Sequence, residues 1–168
     1  MMIPERPRPP FHYHIVLIEP EIPPNTGNAG RLAVATQSTL HVVEPLGFSL
    51  EDKDVRRAGL DYWKYVDIKK HKNFDAWLTW RDQHEPELPL YFLEVGSEQS
   101  FYDQPIPSKA AFLFGKETKG IPPEILEKYA PRHFTLPMFS DRIRSLNLSN
   151  TVSLVLYEAI RQQLQLML

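Results

Sequence analysis

Six short runs of apolar, β-branched or aromatic residues recur along the chain, and most are separated by segments with helical spacing. The runs are HIVLIE (14–19), LHVVEP (40–45), YVDI (65–68), LPLYFLEV (88–95), AAFLFG (110–115) and HFTLPM (133–138). A strand wetted on one face alternates apolar and polar residues. These runs are nearly continuous, which predicts strands buried on both faces. Helices are expected over about 27–37, within about 49–59, after Asn73 (Phe74, Trp77, Leu78 and Arg81 at helical spacing), in PPEILEKYA and from about Ser149. Strand and helix in alternation predict an α/β fold, a mainly parallel sheet with helices on both faces. Read strand by strand, it is an open doubly wound sheet. The prolines fall mostly at the turns between these elements.

The chain has 168 residues, enough for one domain with a full core, expected over 14–168 behind a flexible arm of residues 1–13. It contains no cysteine, which excludes disulfides, thiolate metal sites and cysteine nucleophiles. The first residues lack the apolar core of a signal peptide, and no run approaches the ~18 apolar residues of a membrane span. A soluble, cytoplasmic protein is expected, with no membrane partner. The net charge of −2 argues against wrapping nucleic acid through an overall positive field. Local basic clusters remain at Arg56 and Arg57, along KYVDIKKHK (64–72), and at Arg142 with Arg144.

In sheets of this class ligands sit beyond the C-terminal ends of the strands. Three loops there carry more polar and small residues than a turn needs: EPEIPPNTGNAGR, GKETKGIPPE and PMFSDRIRSLNLSN. In the first, Asn25, Thr26, Gly27, Asn28 and Gly30 open a helix whose N–H groups favour an anion, with Arg31 expected one turn inside. In the third, Ser149 or Asn150 serves to cap the last helix. Ser145 and Asn147 lie upstream of that cap, alternating with Leu146 and Leu148, and have no such structural duty.

Familiar motifs fail on spacing. GNAG is not GxGxxG, GKET lacks the leading glycine of a Walker loop, and neither HExxH nor GxSxG occurs. The six histidines are scattered along the sequence with no pair at metal spacing.

Taken together, NTGNAGR, FGKETKGIP and LPMFSDRIRSLNLSNTVSLVLYEA resemble, in order and spacing, the three motifs of the SPOUT-class RNA 2'-O-ribose methyltransferases. IEPEIPPNTGN, VVEPLGF and RRAGLDYW look most like the small subfamily acting on the tRNA wobble cytidine or uridine. The resemblance implies a C-terminal trefoil knot within the α/β fold and S-adenosyl-L-methionine as methyl donor, with no metal. It also implies a homodimer whose active site takes residues from both subunits, and the tRNA anticodon stem-loop as partner. The apolar residues Leu164, Leu166, Met167 and Leu168 are compatible with a dimer contact.

Carried over by position, Leu93, Gly115, Leu136 and Ser145 are the implied cofactor-binding residues. Arg31 is implied to act on the ribose hydroxyl or an RNA phosphate, and Asn25 to hold the first loop and the hydroxyl. Glu117 is implied to brace the knot loop or the cofactor side, and Ser145 and Asn147 to order the third loop. Arg142, Arg144 and the 64–72 run are candidate phosphate contacts.

The chain departs from the pattern at Lys116 and Lys119, where the family commonly has proline and arginine. It has an apparent extra residue in DRIRSLN, and EVGSEQS where the family has a Thr/Ser-rich basic turn, which puts Glu94 beside the implied cofactor pocket. The same chemistry on ribosomal RNA or another tRNA position, and a catalytically silent RNA-binding protein, stay open as alternatives.

Overall fold

A computed structural model describes residues 7–51, 55 and 62–168. The elements are β1 (His12–Ile18), α1 (Pro23–Thr36), β2 (Thr39–Val43), a 3-10 turn at Trp63–Tyr65, β3 (Ile68–His71), α2 (Phe74–His84) and β4 (Leu90–Leu93). They continue with β5 (Lys109–Phe114), α3 (Pro123–Lys128), β6 (His133–Phe134) and α4 (Leu148–Gln165). All strand pairs are parallel, in the order β3-β2-β1-β5-β4-β6. The expected helix within 49–59 and the arginines at 56 and 57 lie largely outside the described residues, as do residues 1–6.

Side-chain alternation divides the core between the two faces of the sheet. Tyr13, Ile15 and Leu17 of β1, with Ala110, Phe112 and Phe114 of β5, pack against α1 and α4. Val16, Ile18, Ala111 and Leu113 point the other way, into a cluster with Trp77 of α2 and the flanking Ile125 of α3. Burial on both faces explains the continuous apolar runs. Among the described residues no helix is long and apolar enough to cross a membrane.

Three boundaries differ from the sequence expectation. α1 starts at Pro23, about four residues early, because Pro23 and Pro24 occupy first-turn positions that need no N–H donor. Asn25 and Thr26 are therefore buried helical residues. β3 is IKKH, displaced from YVDI: Trp63–Tyr65 coils into the 3-10 turn, and an edge strand tolerates lysines. The cap of α4 is Asn147, not Ser149 or Asn150; its Oδ1 accepts the amide N–H groups of Ser149 at 2.9 Å and Asn150 at 3.3 Å. By contrast Asn73 caps α2 as its position suggested, accepting from the Ala76 amide at 2.8 Å.

The scattered histidines are gathered by the register. His14 Nδ1 lies 2.9 Å from His41 Nε2, and His41 Nδ1 lies 2.9 Å from His71 Nε2, a row running from β1 to the sheet edge. Trp80 of α2 covers it, 4.5 Å from the His41 ring. Burial, reinforced by neighbouring histidines, lowers the pKa of His14 to about 3 and of His41 to about 2. Both rings are neutral in the fold, sharing protons along the row, while in the unfolded chain they take up a proton below about pH 6.5. The unfolded state therefore binds more protons below that pH, and the fold loses stability as pH falls from about 6.5 toward the folded values. We expect urea-unfolding stability to drop between about pH 6.5 and 5, above the range of ordinary carboxylates, by up to ~1.4 kcal/mol per pH unit for each histidine. Replacing His14 and His41 together by leucine should flatten that slope; a slope unchanged by the replacement would assign it elsewhere.

Candidate active site

The C-terminal ends of β4 and β5 open into a cavity of about 550 Å³. Leu93, Phe114, Leu136, Met138 and Leu146 give it apolar walls, and the turn 115–120 and the segment 144–148 close its sides. This is the edge of a parallel sheet where crossover connections diverge and leave room for a ligand.

The turn after β5 folds onto itself. Lys116 and Gly120 exchange backbone hydrogen bonds of 3.2 and 2.8 Å. A Cβ at position 115 would lie 2.0 Å from the Gly120 carbonyl carbon, so only glycine allows the turn to close. Gly120 itself has φ +69°, the left-handed region.

That turn is tied to the one after β1. The Glu117 carboxylate accepts the Glu21 amide N–H at 2.8 Å, the Ile22 amide N–H at 3.1 Å and the Asn25 side-chain amide at 3.0 Å. It acts from across the cavity on the turn leading into α1: Pro23 and Pro24 have no N–H to satisfy, and the carboxylate takes the two amides just ahead of the helix. In return Glu21 accepts from the Thr118 amide at 3.2 Å and from its hydroxyl at 2.7 Å. Lys116 pairs with Glu19 at 2.5 Å, and this hydrogen bond raises the lysine pKa. Glu19 reaches it from a backbone of φ +52°.

The third loop joins through Asn147, whose Nδ2 donates to Asn25 Oδ1 at 3.1 Å. One side chain thus caps α4 with its oxygen and anchors α1 with its nitrogen. The run SLNLSN is crowded because its cap also has a partner in another loop. Arg144 adds a second tie, donating through Nη2 to the Thr118 carbonyl at 3.1 Å.

Of the residues singled out in the sequence, Asn25, Leu93, Gly115, Glu117, Leu136, Ser145 and Asn147 all line the cavity. Arg31 does not. It is the ninth residue of α1, further in than the one turn expected, exposed, with its guanidinium 4.9 Å above the Tyr62 ring. The Tyr62 hydroxyl donates to the Gly27 carbonyl at 2.6 Å, fixing this stack on α1. Sequence reading missed Glu19 and Glu21. Two acids directly after a strand resemble a solvated turn, and only their lysine and threonine partners, nearly a hundred residues away, reveal them. Among the described residues no cluster of His, Cys, Asp or Glu could hold a metal ion.

The model of the SpoU rRNA Methylase family matches residues 12–157. A tRNA (cytidine(34)-2'-O)-methyltransferase of Acidovorax sp. (strain JS42) is 48% identical over 151 residues, 89% of this chain and 91% of the relative. A solved structure described as giving "structural insights into the 2-OH methylation of C/U34 on tRNA" superposes with a TM-score of 0.86 at 37% identity, covering 94% of this chain and 99% of its own. An AdoMet-bound rRNA methyltransferase of Sinorhizobium meliloti shares the fold, with a TM-score of 0.78 at 22% identity over 89% of this chain and 56% of its own.

Removing the Glu117 carboxylate strands two backbone donors and the Asn25 amide. Glu117→Ala is expected to cost about 2 kcal/mol, on the scale of hydrogen bonds to charged groups. Asn147→Ala should cost about 1–2 kcal/mol, as a lost helix cap. Urea unfolding measures both, and losses below about 0.5 kcal/mol would contradict the network.

Proposed function

The chain belongs to the SpoU rRNA Methylase family, and from that premise we propose that it transfers a methyl group from S-adenosyl-L-methionine to the ribose 2'-OH of the wobble nucleotide in the tRNA anticodon loop. The observation that carries this reading is the convergence on one cavity of six residues drawn from three motifs far apart in the sequence, with Leu93 at the end of β4 beside them. Relatives matched over most of their length bear the name of that reaction.

The cavity fits the donor. Its volume of about 550 Å³ falls within the range of small-molecule sites, and its apolar walls leave recognition to main-chain groups. Leu93, Gly115, Leu136 and Ser145 would hold the donor. When bound, it supplies an electrophilic methyl on a sulfonium sulfur, open to in-line displacement.

The chain's own task is alignment of the attacking oxygen and exclusion of water. Asn25, Glu117 and Asn147 fix the cavity mouth, with Asn25 hydrogen-bonded to Glu117 on one side and to Asn147 on the other. Arg31 orients the ribose hydroxyl and stabilises negative charge developing on its oxygen. A guanidinium does not give up its proton near neutrality, so the hydroxyl proton leaves to water or an RNA phosphate. Serine 145 and the third loop order the reacting centre. No metal takes part in this scheme.

Arg31 stands outside the cavity of its own chain, which favours a homodimer in which it serves the partner's cavity. The exposed Leu154 and Tyr157 of α4 and Phe139 and Ile143 of the third loop supply apolar surface for such a contact. Arg142, Arg144 and the basic stretch 64–72 are candidate phosphate contacts. Within that stretch Lys69 and Lys70 also pair with Asp67 and Glu44, at 3.3 and 2.9 Å. The substrate implies a cytoplasmic setting.

The test is transfer of labelled methyl to tRNA lacking ribose methylation, followed by nuclease mapping. Label at the wobble ribose is expected, and label confined to another nucleotide or to ribosomal RNA would refute the substrate. Arg31→Ala should lower transfer by about a hundredfold or more, the scale of losing a group that stabilises a developing oxyanion, with donor affinity changed less than about twofold. Near-wild-type turnover would remove Arg31 from the reaction.

A further inference from the structure

Glu94 is the first residue beyond β4, and its side chain forms part of the cavity wall. Its carboxylate is held in place by main chain: Oε2 accepts the Ile121 amide N–H at 2.8 Å and Oε1 the Val95 amide N–H at 2.9 Å. The approach is close enough that a Cβ at position 120 would lie 1.9 Å from Oε2, so glycine there makes room for the carboxylate. No cation among the described residues forms an ion pair with it. Three basic residues belong to the wall: Lys116 is taken by Glu19, Arg144 donates to the Thr118 carbonyl, and Lys119 makes no ion pair with Glu94 among the described residues. Two N–H dipoles orient a carboxylate without cancelling its charge, so this wall carries a fixed negative group facing the ligand space.

We propose that Glu94 makes the cavity selective for the charged sulfonium donor over its neutral thioether product, an assignment that rests on the methyl-donor reading above. In the transfer the methyl–sulfur bond breaks as the ribose oxygen–carbon bond forms. The electron pair of the broken bond stays on sulfur, which becomes a neutral thioether, and the hydroxyl proton leaves to solvent. The ligand loses its sulfonium charge at that moment, and its attraction to Glu94 goes with it. Product release is favoured and product inhibition is weakened. The same attraction stabilises the donor before reaction, so it assists donor capture and does nothing to lower the barrier from the bound state.

Calorimetric titration of the full-length protein with S-adenosyl-L-methionine and with S-adenosylhomocysteine tests this without reference to turnover. Glu94→Gln keeps the side-chain length and one oxygen acceptor and removes the charge. Donor affinity is expected to fall about five- to twentyfold, the range for a charge pair at intermediate dielectric, while product affinity changes less than about twofold. Glu94→Asp keeps the charge on a shorter arm. It should weaken both ligands together and largely preserve their ratio, separating charge selection from the clasp on Ile121. Equal weakening of donor and product in Glu94→Gln, or an unchanged ratio, overturns the assignment and leaves the methyl-donor reading standing. Wild-type protein that binds neither compound overturns both.

Discussion

The carboxylate of Glu117 receives three N–H donors from the turn that starts α1, and much of the site follows from that contact. With prolines at its first two positions α1 needs no acceptor there, and the amides left to satisfy are those of Glu21 and Ile22 just ahead of it. Supplying the acceptor from the loop after β5 joins two crossovers that the sheet alone would merely set side by side. Asn25, turned by the same carboxylate, then offers its oxygen to Asn147, so the third loop is fixed in the same step. Each link is a modest hydrogen bond, yet breaking one leaves a donor in one loop and an acceptor in another without its partner. Polar networks of this kind specify a unique arrangement of loops where apolar packing would allow several.

The parallel sheet determines where this happens. Adjacent β1, β5 and β4 all deliver their chains to the same edge, and the large apolar side chains beneath hold that edge rigid. The loops are therefore free to carry chemistry without carrying the fold. Gly115 and Gly120 belong to the same logic: one lets the turn close on itself and the other leaves room for Glu94.

Legibility from sequence followed the range of the interactions. β1, β2, β4 and β5 were readable because burial on both faces writes itself as a continuous apolar run. β3 slipped in register because an edge strand needs little apolar content, and α1 began early because two prolines fit a first turn as readily as a loop. The choice of Asn147 over Ser149 or Asn150 as the cap of α4 could not be made locally, since all three residue types cap helices; the contact with Asn25, 122 residues away, decides it. The histidines looked unrelated because only the strand register brings His14, His41 and His71 into line, on the sheet face away from α1 and α4. Motif order, by contrast, points to six of the cavity residues, Asn25, Gly115, Glu117, Leu136, Ser145 and Asn147. Motifs mark the positions where loops must meet, and composition has no such memory.

The measurement that bears most directly on this account is a double-mutant cycle between Glu117→Gln and Asn147→Ala, read as affinity for S-adenosyl-L-methionine. The two side chains do not touch; Asn25 lies between them. If one hydrogen-bonded relay organises the site, the two substitutions will be coupled by about 1 kcal/mol or more, and the coupling will vanish when Asn25 is replaced by alanine. Effects that add to within about 0.3–0.5 kcal/mol, with or without Asn25, would mean that the loops are ordered independently and that the relay is not what holds the site together.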